Sequence, residues 1–120
     1  MRRGKYANIP TEIDGIKFQS KLEATRYSYL SVLQKAGEIS ELQMQVPFKL
    51  EVNGILICKY IADFTYMKAG EYIVEDTKSP ATITPEFRLK AKMMKAIHDI
   101  DILIVYAKPR KKRVSKKKAR

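Results

Sequence analysis

Asp63 and, thirteen residues on, Asp76-Thr77-Lys78 are the residue types and spacing with most chemistry in this chain. Each stands at or near the end of an apolar, β-prone run, residues 55–62 before Asp63 and residues 72–75 before Asp76. Side chains alternate along a strand, so Asp76 and Lys78 project from one face with Tyr72 and Val74, while Ile73, Glu75 and Thr77 point the other way. Asp63, near the end of the paired strand, supplies a second carboxylate. Two carboxylates and an ammonium gathered where strands end suit a divalent cation. Magnesium fits best, because it takes few carboxylates and keeps several waters. Such an ion lowers the pKa of a water and neutralises charge developing on a phosphodiester. Lys78 would orient the nucleophile or offset the added charge. The chemistry implied is metal-dependent phosphodiester hydrolysis.

Glu23 is a fourth candidate. It ends Ser20-Lys21-Leu22-Glu23, which has the Ser-x-x-Glu form of a helix capping box. It either caps that helix or serves a metal or a water, and both uses need the same early-helix position. Glu75 competes with Asp76 if the strand is offset by one, but then loses its relation to Lys78. Asp76 and Lys78 taken alone are also compatible with a surface ion pair. Other catalytic classes find little support. His98 and Cys58 are the single histidine and single cysteine, so no zinc cluster, Cys–His pair or Ser–His–Asp triad can be assembled. The expected place of His98 is a helix C-terminus, and that of Cys58 the core. No glycine-rich phosphate loop is present, so no nucleotide cofactor is expected. Tyr60, Tyr66 and Tyr72 fall in strands and read as packing residues.

The elements that must position these groups follow from turn and cap signals. Residues 13–18 read as a turn or short hairpin around Asp14-Gly15. A helix is expected from the Ser20 cap to Ala36, with Leu22, Tyr29, Leu30 and Leu33 on one stripe and Gly37 as its stop. Strands are expected over residues 44–52, 55–66 and 71–78, joined at Asn53-Gly54 and Ala69-Gly70. Pro47 marks a bend or an edge. Thr84 and Pro85 begin a second helix with Phe87, Ala91, Met94 and Ile97 at helical spacing. Residues 100–107 form an apolar run expected to be an inner strand buried on both faces. The fold class is therefore α/β in the α+β sense, with a mixed sheet of four to five strands flanked by two helices.

A length of 120 residues fits one domain. Net charge is +11, from 24 Lys+Arg against 13 Asp+Glu. Residues 109–120 hold eight of these cations and no acid, and residues 1–5 hold three more, leaving residues 6–108 formally neutral. The expected organisation is a basic arm over residues 1–12, a folded body over 13–108 and a basic tail over 109–120. Cationic arms bind polyanions through counterion release. Arg110, Lys111, Lys112 and Arg113 in the tail are therefore candidate DNA contacts. So are Arg88, Lys92 and Lys95, at i, i+4 and i+7 on the second helix. The lone cysteine suits a reducing, cytoplasmic compartment. No apolar run approaches 18 residues and no signal pattern opens the chain, so neither membrane insertion nor secretion is expected.

The early-helix Glu23, Asp63 in Ile61-Ala62-Asp63-Phe64 and the segment Val74-Glu75-Asp76-Thr77-Lys78 together resemble the PD-(D/E)XK nuclease superfamily. The segments at residues 18–23 and 60–64 are similar to small phage-encoded proteins of that superfamily, whose layout is that of phage and archaeal Holliday junction resolvases. The resemblance spans residues 18–107. It implies a restriction-endonuclease-like αβββαβ core, with Asp63, Asp76 and Lys78 as the catalytic motif and Glu23 as the helix-one glutamate. It further implies Mg²⁺ held by Asp63, Asp76 and the Thr77 backbone carbonyl, with Mn²⁺ able to substitute and Glu23 serving a second metal or a water. Ala62 stands where the motif has proline, which removes no ligand.

The function expected is a metal-dependent DNA endonuclease of phage or mobile-element origin, a structure-selective junction resolvase acting as a homodimer. One chain provides one site, and symmetrical cutting of a four-way junction needs two. The alternatives are a restriction- or transposition-type nuclease of the same fold, and a non-catalytic DNA-binding protein that works through its basic tail.

Overall fold

The computed structural model describes residues 11–13, 15–18 and 20–106. Strands β1 (Thr11–Ile13) and β2 (Ile16–Phe18) pair antiparallel. Gly15 takes the left-handed turn position between them, at φ +78°. The hairpin thus begins at Thr11, inside the stretch assigned to the basic arm. Ser20 then opens helix α1 (Lys21–Lys35), its hydroxyl accepting the Glu23 N–H at 3.1 Å. Gly37, at φ +83°, ends the helix as expected.

The packed face of α1 differs from the expected stripe. Glu23, Ala24 and Leu30 are the buried residues. Tyr29 is 52 % exposed, with the Arg26 guanidinium 4.9 Å from its ring centre. The buried face is rotated by about one residue, roughly 100°, because it includes a glutamate that apolar periodicity does not count.

Strands β3 (Ser40–Val52), β4 (Ile55–Lys68) and β5 (Glu71–Lys78) form an antiparallel meander. Asn53-Gly54 and Ala69-Gly70 have φ > 0 at both residues, the geometry that matches strand twist in two-residue hairpins. Pro47 lies on β3, an edge strand, where a missing N–H is tolerated. The crossover from β5 carries a 3₁₀ turn (Pro80–Thr82) and helix α2 (Pro85–Met93). Thr84 caps α2 by accepting the Phe87 N–H at 3.1 Å. A π-helical turn (Met94–His98) follows and ends at Asp99, whose φ is +58°. Strand β6 (Leu103–Tyr106) then pairs parallel with β5, giving a mixed four-stranded sheet in the order β3-β4-β5-β6 with two helices.

Strand β6 is an edge, not the inner strand expected. Leu103 and Tyr106 are 47 % and 57 % exposed, and Ile102 and Ile104 pack on the core. An unbroken apolar run does not by itself distinguish burial on two faces from burial on one. His98, near a helix end as expected, donates from Nε2 to the Lys49 carbonyl at 2.8 Å. Cys58 is partly buried against the second core. Among the described residues no helix is long and apolar enough to cross a membrane.

Two cores form. One joins Phe18, Ala24, Leu30, Ile39, Phe64 and Tyr66; the other joins Leu50, Tyr60, Ala62, Val74, Phe87 and Met94. Tyr60 and Ala62 share strand parity with Phe64 and Tyr66 yet pack in the other core, so the alternation of β4 breaks at Asp63. Strand β3 changes sides in step: Met44 packs on the first core and Phe48 on the second. Between them Gln45 has φ +52°, and its rung opposite Asp63 is unpaired, although Met44↔Phe64 and Val46↔Ala62 pair on either side. A left-handed backbone costs a non-glycine residue roughly 1–2 kcal/mol. The hairpin turns over at this rung, and Asp63 is the residue at the turn.

Behind β5, Glu75 is fully buried and takes a two-pronged ion pair from Arg26 of α1, both bonds 2.8 Å, with the Tyr66 hydroxyl also donating to it. Arg26→Ala strands a buried carboxylate and should lower unfolding free energy by about 3 kcal/mol. Urea denaturation checks this; a loss no larger than that of an exposed-site control would show the pair to be dispensable.

Candidate functional site

Asp63 stands where the β4–β5 ladder stops, its last pair being Phe64↔Glu75. Beyond that pair the carboxylate replaces a backbone acceptor. Asp63 Oδ2 accepts the Thr77 N–H at 2.9 Å and the Thr77 hydroxyl at 2.8 Å. These two donors fix the carboxylate plane and leave Oδ1 for another partner.

Asp76 is buried beside it, 4 % exposed. Burial first, then the Asp63 carboxylate, raises its pKa from 3.8 to about 7, against the opposing pull of Tyr60 and Lys78. The Tyr60 hydroxyl donates to Asp76 Oδ2 at 2.5 Å. Burial and the Asp76 charge hold that hydroxyl's pKa well above its usual value, so it remains a donor. Lys78 Nζ lies 3.8 Å from Asp76 Oδ1 and 4.3 Å above the centre of the Phe87 ring. That ring comes from the first turn of α2, set by the Thr84 cap.

Glu23 approaches Asp63 from the other side. Its N–H serves the Ser20 cap while its carboxylate takes the Gln45 amide, Nε2 to Oε2, at 2.7 Å. It is therefore more than half of a capping box. Burial, then Asp63, raises its pKa from 4.5 to about 7, and Gln45 opposes the shift.

Asp63 lines two clefts. One, of about 430 Å³, is walled by Glu23, Gln45, Met44, Lys17 and Phe18. The other, of about 330 Å³, is walled by Asp76, Lys78, Tyr60, Lys59 and Lys90. Two adjacent carboxylates, one of them (Asp76) 3.8 Å from the Lys78 ammonium, opening on a cleft with room for waters, make a donor set that fits a hard divalent ion. Among the described residues no three Asp, Glu, His or Cys side chains are grouped to hold one ion. Asp63 and Asp76 form the pair, and Glu23 stands across Asp63 on the separate cleft.

The structure thus gathers Asp63, Asp76 and Lys78, and sets Glu23 beside Asp63. Glu75 faces away, as the strand alternation requires. Thr77, expected through its carbonyl, engages Asp63 through its N–H and hydroxyl. Arg88 and Lys92 are exposed on α2, but Lys95 lies in the π-helical turn and pairs with Asp99 and Asp101, each at 3.2 Å. Arg110, Lys111, Lys112 and Arg113 lie outside the described residues. The site residues not anticipated are Gln45, Tyr60, Lys59 and Lys90. Strict alternation along β4 places Tyr60 on the face opposite Asp76, so no spacing signal pointed to it.

Raised carboxyl pKa values link this site to stability. Glu23 and Asp76 favour the protonated folded form, so their contribution is full below the ordinary values of 4.5 and 3.8 and is lost as pH rises through about 7. In chelator, Tm should fall between pH 5 and pH 8, and millimolar Mg²⁺ should raise it at pH 8 far more than at pH 5. Asp76→Asn should remove its own share of this dependence and leave that of Glu23. A Tm indifferent to Mg²⁺ at pH 8 would count against an ion on these carboxylates.

No curated protein and no solved structure matches the chain. The family described as "Protein of unknown function (DUF1064)" matches residues 3–113, and the chain belongs to it.

Proposed function

We propose that the protein is a divalent-metal-dependent DNA endonuclease with a restriction-endonuclease-like core, acting as a homodimer on branched DNA such as a four-way junction. The observation that carries this is the pair of Asp63, inside β4 where its ladder with β5 stops, and Asp76, with Lys78 Nζ 3.8 Å from Asp76. Support also comes from the element order after the first hairpin, a helix, three antiparallel strands, a helical crossover and a parallel strand. The cationic stretch at residues 109–120 supplies a polyanion partner.

Asp63 and Asp76 would hold Mg²⁺ or Mn²⁺ through the oxygens that Thr77 and Tyr60 leave open. When bound, the ion acidifies a water and offsets charge on the phosphodiester. Lys78 donates to a non-bridging phosphate oxygen, its ammonium kept in place by the Phe87 ring. Glu23, whose pKa near 7 suits a general base, accepts the proton of the attacking water. Lys59 and Lys90 face the flanking backbone. Exposed Ile55, Ile57 and Ile61 on β4 offer apolar area for a second copy.

Cleavage of a labelled four-way junction with Mg²⁺ tests this. Asp76→Ala and Lys78→Ala should each lower the rate by about 100-fold or more. Equal activity in all three proteins, or none in any, would sink the assignment. Deleting residues 109–120 should weaken binding and lower its salt dependence while cleavage persists at saturating protein. If binding survives alanine at Asp63 and Asp76 while no cleavage is ever seen, the protein is a nucleic-acid binder working through its tail.

A further inference from the structure

Five non-glycine residues have positive φ among those described: Glu41, Gln45, Asn53, Ala69 and Asp99. Four sit where chain direction demands it. Glu41 lies at the register shift between Ser40 and Gln43, Asn53 and Ala69 are in hairpin turns, and Asp99 terminates the π-helical turn. Gln45 alone lies inside an in-register stretch of paired strand, where the hairpin turns over opposite Asp63. A glycine or asparagine would make that turn with less strain. A glutamine there calls for a reason in its side chain.

That side chain reaches across the larger cleft to Glu23 Oε2, at 2.7 Å. We propose that Gln45 is a positioning residue for the proposed nuclease reaction, holding the Glu23 carboxylate toward Asp63 and the attacking water; this rests on the nuclease reading above. One amide hydrogen anchors Oε2 and leaves Oε1 for the water. Turning the hairpin and orienting the glutamate are separate tasks performed by the backbone and the side chain of one residue, and substitution can separate them.

Gln45→Gly keeps the left-handed backbone and removes the amide. Its Tm should stay within about 3 °C of wild type, while kcat on a four-way junction falls about 10- to 100-fold with KM little changed. Gln45→Asn, which also tolerates φ > 0, should recover part of the lost kcat. In a double-mutant cycle, Gln45→Gly should add almost nothing to the loss caused by Glu23→Gln, because it acts through that residue. Should Gln45→Gly fail to fold, Gln45→Asn takes its place in the cycle, with the same non-additivity expected. Wild-type kcat in a folded Gln45→Gly, or losses that multiply in the cycle, would overturn the inference and leave the nuclease reading standing. A wild type that cleaves no DNA would overturn both.

Discussion

Everything at this site depends on one substitution of acceptors: the Thr77 N–H bonds to the Asp63 side chain. Antiparallel pairing of β4 with β5 would hide the Asp63 carboxylate's role behind a regular ladder, with backbone bonding backbone. Ending that ladder at Phe64↔Glu75 frees β4 to roll, and the side-chain bonds to Thr77 keep β5 from separating as it does. Leaving that part-buried N–H unmet would cost about 1 kcal/mol, so the carboxylate is tied to the strand that carries Asp76 and Lys78. The spacing between the two acids is thereby set by backbone geometry and resists side-chain rotation.

Charge is arranged around that tie in layers. Facing the second core are Asp76, Tyr60 and Lys78; facing α1 are Glu75 and Tyr66, which meet Arg26 of that helix. Glu75 and Asp76 are neighbours in sequence and both buried, yet only Glu75 has a two-pronged cation. The compensated carboxylate braces the strand against α1, and the under-compensated one keeps a pKa far above its ordinary value. Adjacent positions of one strand have opposite electrostatic tasks because a pleat sends them to opposite faces.

Much of this was legible in the residues. Asp-Gly, Asn-Gly and Ala-Gly located three turns, Ser20 and Thr84 located two helix starts, and the i, i+2 relation put Asp76 with Lys78 and against Glu75. What escaped had a common physical origin. Period-based reasoning assumes that an element keeps its phase, and the phase slips at Gln45/Asp63 in the hairpin and again at Met94–His98, where the helix widens to π geometry. Tyr60 lay beyond the first slip and Lys95 within the second. The α1 face was misjudged for another reason, because its buried stripe runs through Glu23, a charged residue that hydrophobic pattern counts as solvent-facing. The edge position of β6 depends on what packs beside it, which an apolar run of residues does not encode.

Lys78 above Phe87 has a consequence for the kind of charge this cleft can present. An aromatic face attracts a compact ammonium from above and leaves its N–H bonds pointing outward around the rim. A guanidinium at the same place would lie flat on the ring and spread its charge over a plane, carrying its donors past Asp76. The cleft is shaped around a point charge on a fixed stem, so arginine, though cationic, is the wrong shape of cation for position 78.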